Sequence, residues 1–144
     1  MDNKVSIYIV EDYLLARITC RKALEQFNDL EIKNDFETAE ECIEALEKNP
    51  VDVILMDIGL PYMTGIEATK MIKDKYPNST IIMLTSHDNQ EEIISSLASG
   101  ANAYALKDIS VEDLHDAILN TNKGCIWIHP KIASIINQTF ANTK

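Results

Sequence analysis

The stretch VILMDIGLPYMTG, residues 53–65, decides the fold. Four apolar residues in a row, Val53, Ile54, Leu55 and Met56, read as a strand buried on both faces, because a strand with one wet face alternates apolar with polar. Asp57 follows at once. A carboxylate buried without a partner is costly, so Asp57 either reaches solvent at a strand end or meets partners from elsewhere in the chain. The strand is expected over residues 51–57, and a helical pattern follows over residues 65–75, stopped by Tyr76-Pro77.

Working outward, strands alternate with helices five times. Residues 5–10 (VSIYIV) read as the first strand, and residues 14–27 as a helix with Leu14, Leu15, Ile18 and Leu24 at helical spacing. Residues 31–36 form the second strand, and residues 39–48 a helix that Thr38 and Glu41 can cap reciprocally. The fourth strand is TIIML at 80–84, before a helix over 89–99 with Asp88 as N-cap and Gly100 as its stop. Residues 103–106 and 111–120, the latter capped by Ser110, complete the series. This alternation predicts an α/β fold: a flavodoxin-like, doubly wound, five-stranded parallel sheet in the order 2-1-3-4-5 with flanking helices. Residues 1–122 would form that domain. Residues 123–144 are then a C-terminal linker or an extra amphipathic helix, since Ile128, Ile132, Ile135, Ile136 and Phe140 share one helical face and Pro130 suits a first turn. That face either packs on its own domain or serves a partner, and Trp127 would report which.

Composition limits the function. The 144 residues are 46% hydrophobic and 25% charged, as in an ordinary globular domain, and carry a formal net charge of −10. Such a balance repels phosphate backbones and anionic membranes, so DNA binding would need another domain. No apolar run approaches a membrane span. Cys20, Cys42 and Cys125 are odd in number and widely spaced, which fits reduced thiols in a cytoplasmic protein. His115 and His129 are read as exposed and without metal chemistry.

In an open parallel sheet, function collects beyond the carboxyl ends of the strands. Those ends supply Glu11, Asp12, Asp57, Thr85 and Lys107. Three carboxylates together repel one another, and a proton or a cation relieves them. Oxygen-only ligands around an open position suit Mg²⁺. An aspartate so neutralised can act as a nucleophile toward a phosphoryl group, with Lys107 and Thr85 holding its other oxygens. Each residue taken singly has a plainer explanation. Glu11-Asp12 can open a helix, Thr85 can be a helix-entry residue, Lys107 a solvated charge and Tyr104 a static core aromatic.

The acidic pair Glu11-Asp12, Asp57, Pro61 and Gly65 in the loop after it, Thr85, Tyr104 and Lys107 occur in an order that resembles a two-component response regulator receiver domain over residues 4–122. MDIGLPYMTGIEATKMIK, LTSHDN and SGANAYALKD resemble the NarL/LuxR-type receivers. GCIWIHPKIASII resembles the segment leading from such receivers toward a helix-turn-helix domain, which these 144 residues do not contain. The resemblance implies phosphorylation of Asp57 by a sensor histidine kinase or phosphotransfer protein. It implies Mg²⁺ held by Asp12, Asp57 and the Gly59 carbonyl, with Glu11 helping through water, and Thr85 and Tyr104 as the switch pair. It also implies a homodimer on phosphorylation, transcriptional output through DNA bound by the further domain, and a phosphoacceptor that takes part in its own phosphotransfer and autodephosphorylation rather than an enzyme. A stand-alone CheY-type relay is the alternative. Two departures from the common pattern stand out: Lys107 precedes Asp108 where many receivers have proline, leaving the isomer of that bond open, and Gly59 leaves one side of the site without a side chain. His87, two residues past Thr85, either influences water access or is a loop residue. A haloacid-dehalogenase-type phosphatase would need a DxD after the first strand, and a flavin carrier a phosphate loop that Glu11-Asp12 would repel.

Overall fold

The computed structural model describes residues 3–86 and 90–141. Their elements are β1 (Val5–Val10), α1 (Leu14–Leu24), β2 (Leu30–Phe36), α2 (Ala39–Lys48), β3 (Val53–Asp57), α3 (Gly65–Lys75), β4 (Thr80–Thr85), α4 (Gln90–Ala98), β5 (Ala103–Leu106), α5 (Val111–Asn122), β6 (Trp127–Ile128) and α6 (Pro130–Ala141). All strand pairs are parallel, in the order β2-β1-β3-β4-β5-β6. The expected five-strand order is present, and β6 extends it. Gly124, at φ 101°, turns the chain back after α5 so that Trp127 and Ile128 pair with Ala103 and Tyr104. Two residues are too few to show a period of two, so the sequence pattern does not reveal this strand.

Alternation along each strand divides the core between the two faces of the sheet. Tyr8, Ile54, Met56, Ile81, Met83 and Tyr104 face α2, α3, α4 and α6, while Ile7, Ile9, Val53, Leu55 and Ile82 face α1 and α5. Burial on both sides explains the continuous apolar runs of β3 and β4. Reciprocal capping boxes open α2 (Thr38 with Glu41) and α3 (Thr64 with Glu67), and Ser110 caps α5 by accepting from the Asp113 N–H. The expectations for His87 and for Asp88 as an N-cap lie outside the described residues.

Several details depart from the sequence reading. Helix α1 stops at Leu24 rather than residue 27, and of its apolar stripe only Leu24 is buried; Leu14, Leu15 and Ile18 are 58%, 63% and 42% exposed. Neither His115 nor His129 is exposed: His129 is half-buried after β6, and the His115 ring stacks on Phe27 with its Nε2 2.8 Å from an Asp29 carboxylate oxygen. The Lys107–Asp108 bond is trans, as are all peptide bonds among the described residues. Helix α6 packs against α4 and β5, with Ile132 completely enclosed and Ile128, Ile135 and Ile136 partly so. No helix among the described residues is long and apolar enough to cross a membrane.

Candidate functional site

The register of the parallel strands builds the site. Val10 pairs with Met56, Asp57 with Leu84 and Thr85 with Leu106, so the ends of β1, β3, β4 and β5 open onto one edge. Gly65 fixes the backbone there. A Cβ on it would lie 2.1 Å from the Asp57 carbonyl oxygen, and its N–H donates to the Ile58 carbonyl at 3.0 Å. Only glycine lets α3 begin this close to β3.

Asp57 is buried; its Oδ1 accepts from the Gly59 N–H at 3.1 Å and its Oδ2 lies 3.2 Å from Lys107 Nζ. Lys107 bonds more closely to Glu11 Oε1, at 2.6 Å. Burial works against the Lys107 ammonium, but the Glu11 hydrogen bond and the charges of Asp57 and Glu11 outweigh it and raise its pKa. Glu11 is tied on every polar atom: besides Lys107, its Oε2 accepts from the Tyr13 N–H at 3.2 Å, its N–H donates to the Phe36 carbonyl and its carbonyl accepts from Arg17 at 2.7 Å. Asp12 is half-buried, and ligand atoms of Glu11, Asp12 and Asp57 lie within 4.8 Å of one another. Thr85 is buried, and its carbonyl accepts from the Lys107 N–H at 2.8 Å. Glu11, Asp12, Asp57, Gly59, Thr85 and Lys107 all line a cleft of about 190 Å³. All six were singled out from the sequence.

Tyr104 sits away from this cleft. Its ring is buried, and its hydroxyl donates toward the Ser96 and Ala101 carbonyls at 3.0 and 3.1 Å. Burial pushes its pKa up to about 12. In this structure the ring therefore already occupies the interior, and β6 closes its strand edge through the His129 N–H, which donates to the Tyr104 carbonyl at 2.9 Å. Beside the acidic cleft, an apolar cavity of about 460 Å³ runs between α1 and α5, where burial pushes the Cys20 thiol up to about 11.

Sequence reasoning missed Arg17 and Asp35. They pair at 2.9 Å between α1 and β2, and Arg21 joins the same carboxylate. Local spacing carries no signal for a contact across 18 residues.

This constellation on this sheet defines a class. Residues 7–119 match the response regulator receiver domain, and the chain belongs to that family. It is similar to the transcriptional regulatory protein DegU of Brevibacillus brevis, 34% identical over 91% of this chain and 56% of the relative. It is likewise similar to the response regulator protein VraR of Staphylococcus aureus, 30% identical over 89% of this chain and 61% of the relative. The isolated receiver domain of RcsB from Salmonella enterica serovar Typhimurium, solved with the phosphomimetic BeF₃⁻, superposes with a TM-score of 0.84 at 26% identity, covering 92% of this chain and 99% of that one. The kinship is with NarL/LuxR-type receivers, as the sequence blocks indicated. The chain spans roughly half to two thirds of the length of the curated relatives it matches.

Proposed function

We propose that Asp57 is the phosphoacceptor of a cytoplasmic two-component switch. The observation that carries this reading is the convergence of three carboxylates and one ammonium on the end of β3. An Asp57 oxygen forms a bond to phosphorus as the P–N bond of a donor phosphohistidine breaks, the electron pair staying on the imidazole. The donor is a sensor histidine kinase or a phosphotransfer protein. Lys107 turns from Glu11 toward a phosphoryl oxygen, and the Thr85 hydroxyl holds another.

The donor set fits a hard divalent cation: oxygen atoms only, three carboxylates close together and one side left open by Gly59, whose nearest foreign atom to a Cβ would be Asp57 Oδ1 at 3.9 Å. Asp12, Asp57 and the Gly59 carbonyl would hold Mg²⁺ directly. Glu11, with both oxygens already engaged, would act through water. Bound Mg²⁺ offsets the charge that gathers on the phosphoryl oxygens.

Residues 1–122 form the phosphoacceptor unit, and residues 123–144 are the segment that carries its state toward a further, DNA-binding domain. Similarity to transcriptional regulators over about 90% of the chain supports that output over a stand-alone relay. Phosphorylation draws Thr85 toward Asp57 and alters the packing of Tyr104, changing the α4–β5–α5 face and favouring a homodimer. The protein takes part in its own phosphotransfer and dephosphorylation and turns over no other substrate. Intact-mass spectrometry after incubation with acetyl phosphate and Mg²⁺ tests the reading. One phosphoryl adduct is expected, lost in Asp57→Asn and without metal. An adduct that persists in Asp57→Asn would refute it.

A further inference from the structure

We propose that Arg17 is a positioning residue for the acidic pair, aiming Asp12 at the metal position by holding the Glu11 carbonyl. The inference rests on the phosphoacceptor reading above. Among the described residues the Asp12 side chain has no hydrogen bond, so the direction in which it leaves the chain rests on its backbone. The Glu11 N–H is already held by the Phe36 carbonyl, and the Glu11–Asp12 peptide that follows is gripped through its own carbonyl. Arg17 Nη1 donates to the Glu11 carbonyl at 2.7 Å, while Arg17 Nε donates to Asp35 Oδ1 at 2.9 Å.

The guanidinium is planar and its donors are fixed relative to one another, so anchoring one edge on Asp35 orients the other. The Arg17 side chain is only 14% exposed, and Asp35 is held in turn by Arg21. The peptide plane between Glu11 and Asp12 is thereby fixed against β2, and with it the direction in which Asp12 leaves the chain. A lysine could satisfy Asp35 or the carbonyl, but its single ammonium defines no such plane.

Arg21 supplies the control. It shares the Asp35 partner and also pairs with Glu25, yet makes no bond to Glu11. Arg17→Met and Arg21→Met both remove a cation from Asp35, and both should lower the melting temperature. Mg²⁺ titrated calorimetrically into the full chain, without phosphodonor, separates them. Arg17→Met should weaken Mg²⁺ binding by about tenfold, the scale of lost support behind a metal ligand, and Arg21→Met should leave it unchanged. Arg17→Lys should also weaken binding by several-fold, and it decides the question if the methionine variant does not fold. Mg²⁺ affinity unchanged in the folded Arg17 variants, or reduced equally in Arg21→Met, overturns the proposal. Absence of Mg²⁺ binding by the unaltered protein would instead overturn the metal reading on which it rests.

Discussion

Replacing Ile132 by alanine should loosen the docking of α6 without unfolding the domain. Ile132 is the one side chain of this helix with no exposure, enclosed with Ile93 of α4 and with Tyr104 and Leu106 of β5. Truncating an enclosed isoleucine costs about 2–5 kcal/mol, transfer and cavity terms together. The remaining anchors, Ile128, Ile135 and Ile136, are only partly buried and cannot replace it. Taking about 3 kcal/mol, with tenfold for each 1.4 kcal/mol, the detached fraction should rise about a hundredfold. Hydrogen–deuterium exchange read by mass spectrometry on peptides covering α6 and β3 measures this directly, and Trp127, the only tryptophan, gives an optical readout from β6. The expected result is about hundredfold faster exchange in α6 with β3 still protected, and a Trp127 emission little changed, because Trp127 packs with the core on the opposite face of the sheet. Equal loss of protection in α6 and β3 would refute the reasoning, because α6 would then be inseparable from the main core.

Gly65→Ala should cost about 3 kcal/mol in thermal or urea unfolding, since the new methyl would meet the Asp57 carbonyl and one of the two must move. Tyr62, at φ 63° and 86% exposed, makes the opposite case: Tyr62→Gly should be neutral or stabilising by up to about 1 kcal/mol, because a side chain is strained in that backbone region. The Tyr104 pKa is raised by burial from 10.0 to about 12, so the protonated phenol is the form the fold favours. That contribution is complete below pH 10 and is lost as pH rises toward 12, amounting to about 1 kcal/mol by pH 11. Melting curves from pH 9 to 11 should fall less steeply for Tyr104→Phe than for the unaltered protein. With a thiol reagent at pH 8, Cys125, which is exposed, should react first, the half-buried Cys20, whose thiol burial pushes up to about 11, more slowly, and the buried Cys42, pushed up to about 12, only on unfolding.

The strand ends were the legible part of the sequence. Continuous apolar runs imply a parallel sheet, a parallel sheet puts its carboxyl ends on one edge, and five of the cleft-lining residues, Glu11, Asp12, Asp57, Thr85 and Lys107, follow from that rule, whereas Gly59 came only with the family resemblance. What the pattern does not carry is direction. Helical spacing marks Leu14, Leu15 and Ile18 as one stripe, but the same spacing holds whether that stripe faces the sheet or solvent. Tyr104 illustrates a second limit: its seat in the interior depends on Ser96 of α4 and on the overlying α6, neither of which its own neighbours in sequence specify. Arg17 and Asp35 are invisible for a third reason, because long-range ion pairs between a helix and an edge strand leave no periodic trace.

The sheet ends in β2 on one side and in β6 on the other, and neither end invites another strand. A two-residue strand offers too few backbone groups to template an addition. The β2 edge is longer, but it presents Glu31 and Lys33 as an exposed ion pair and carries a register shift opposite Ile7 and Tyr8. Charge and irregularity on an edge both oppose pairing with a foreign chain. The sheet is therefore shielded from the open-ended stacking that exposed edges permit, and its helix faces are left as the surfaces open to a partner.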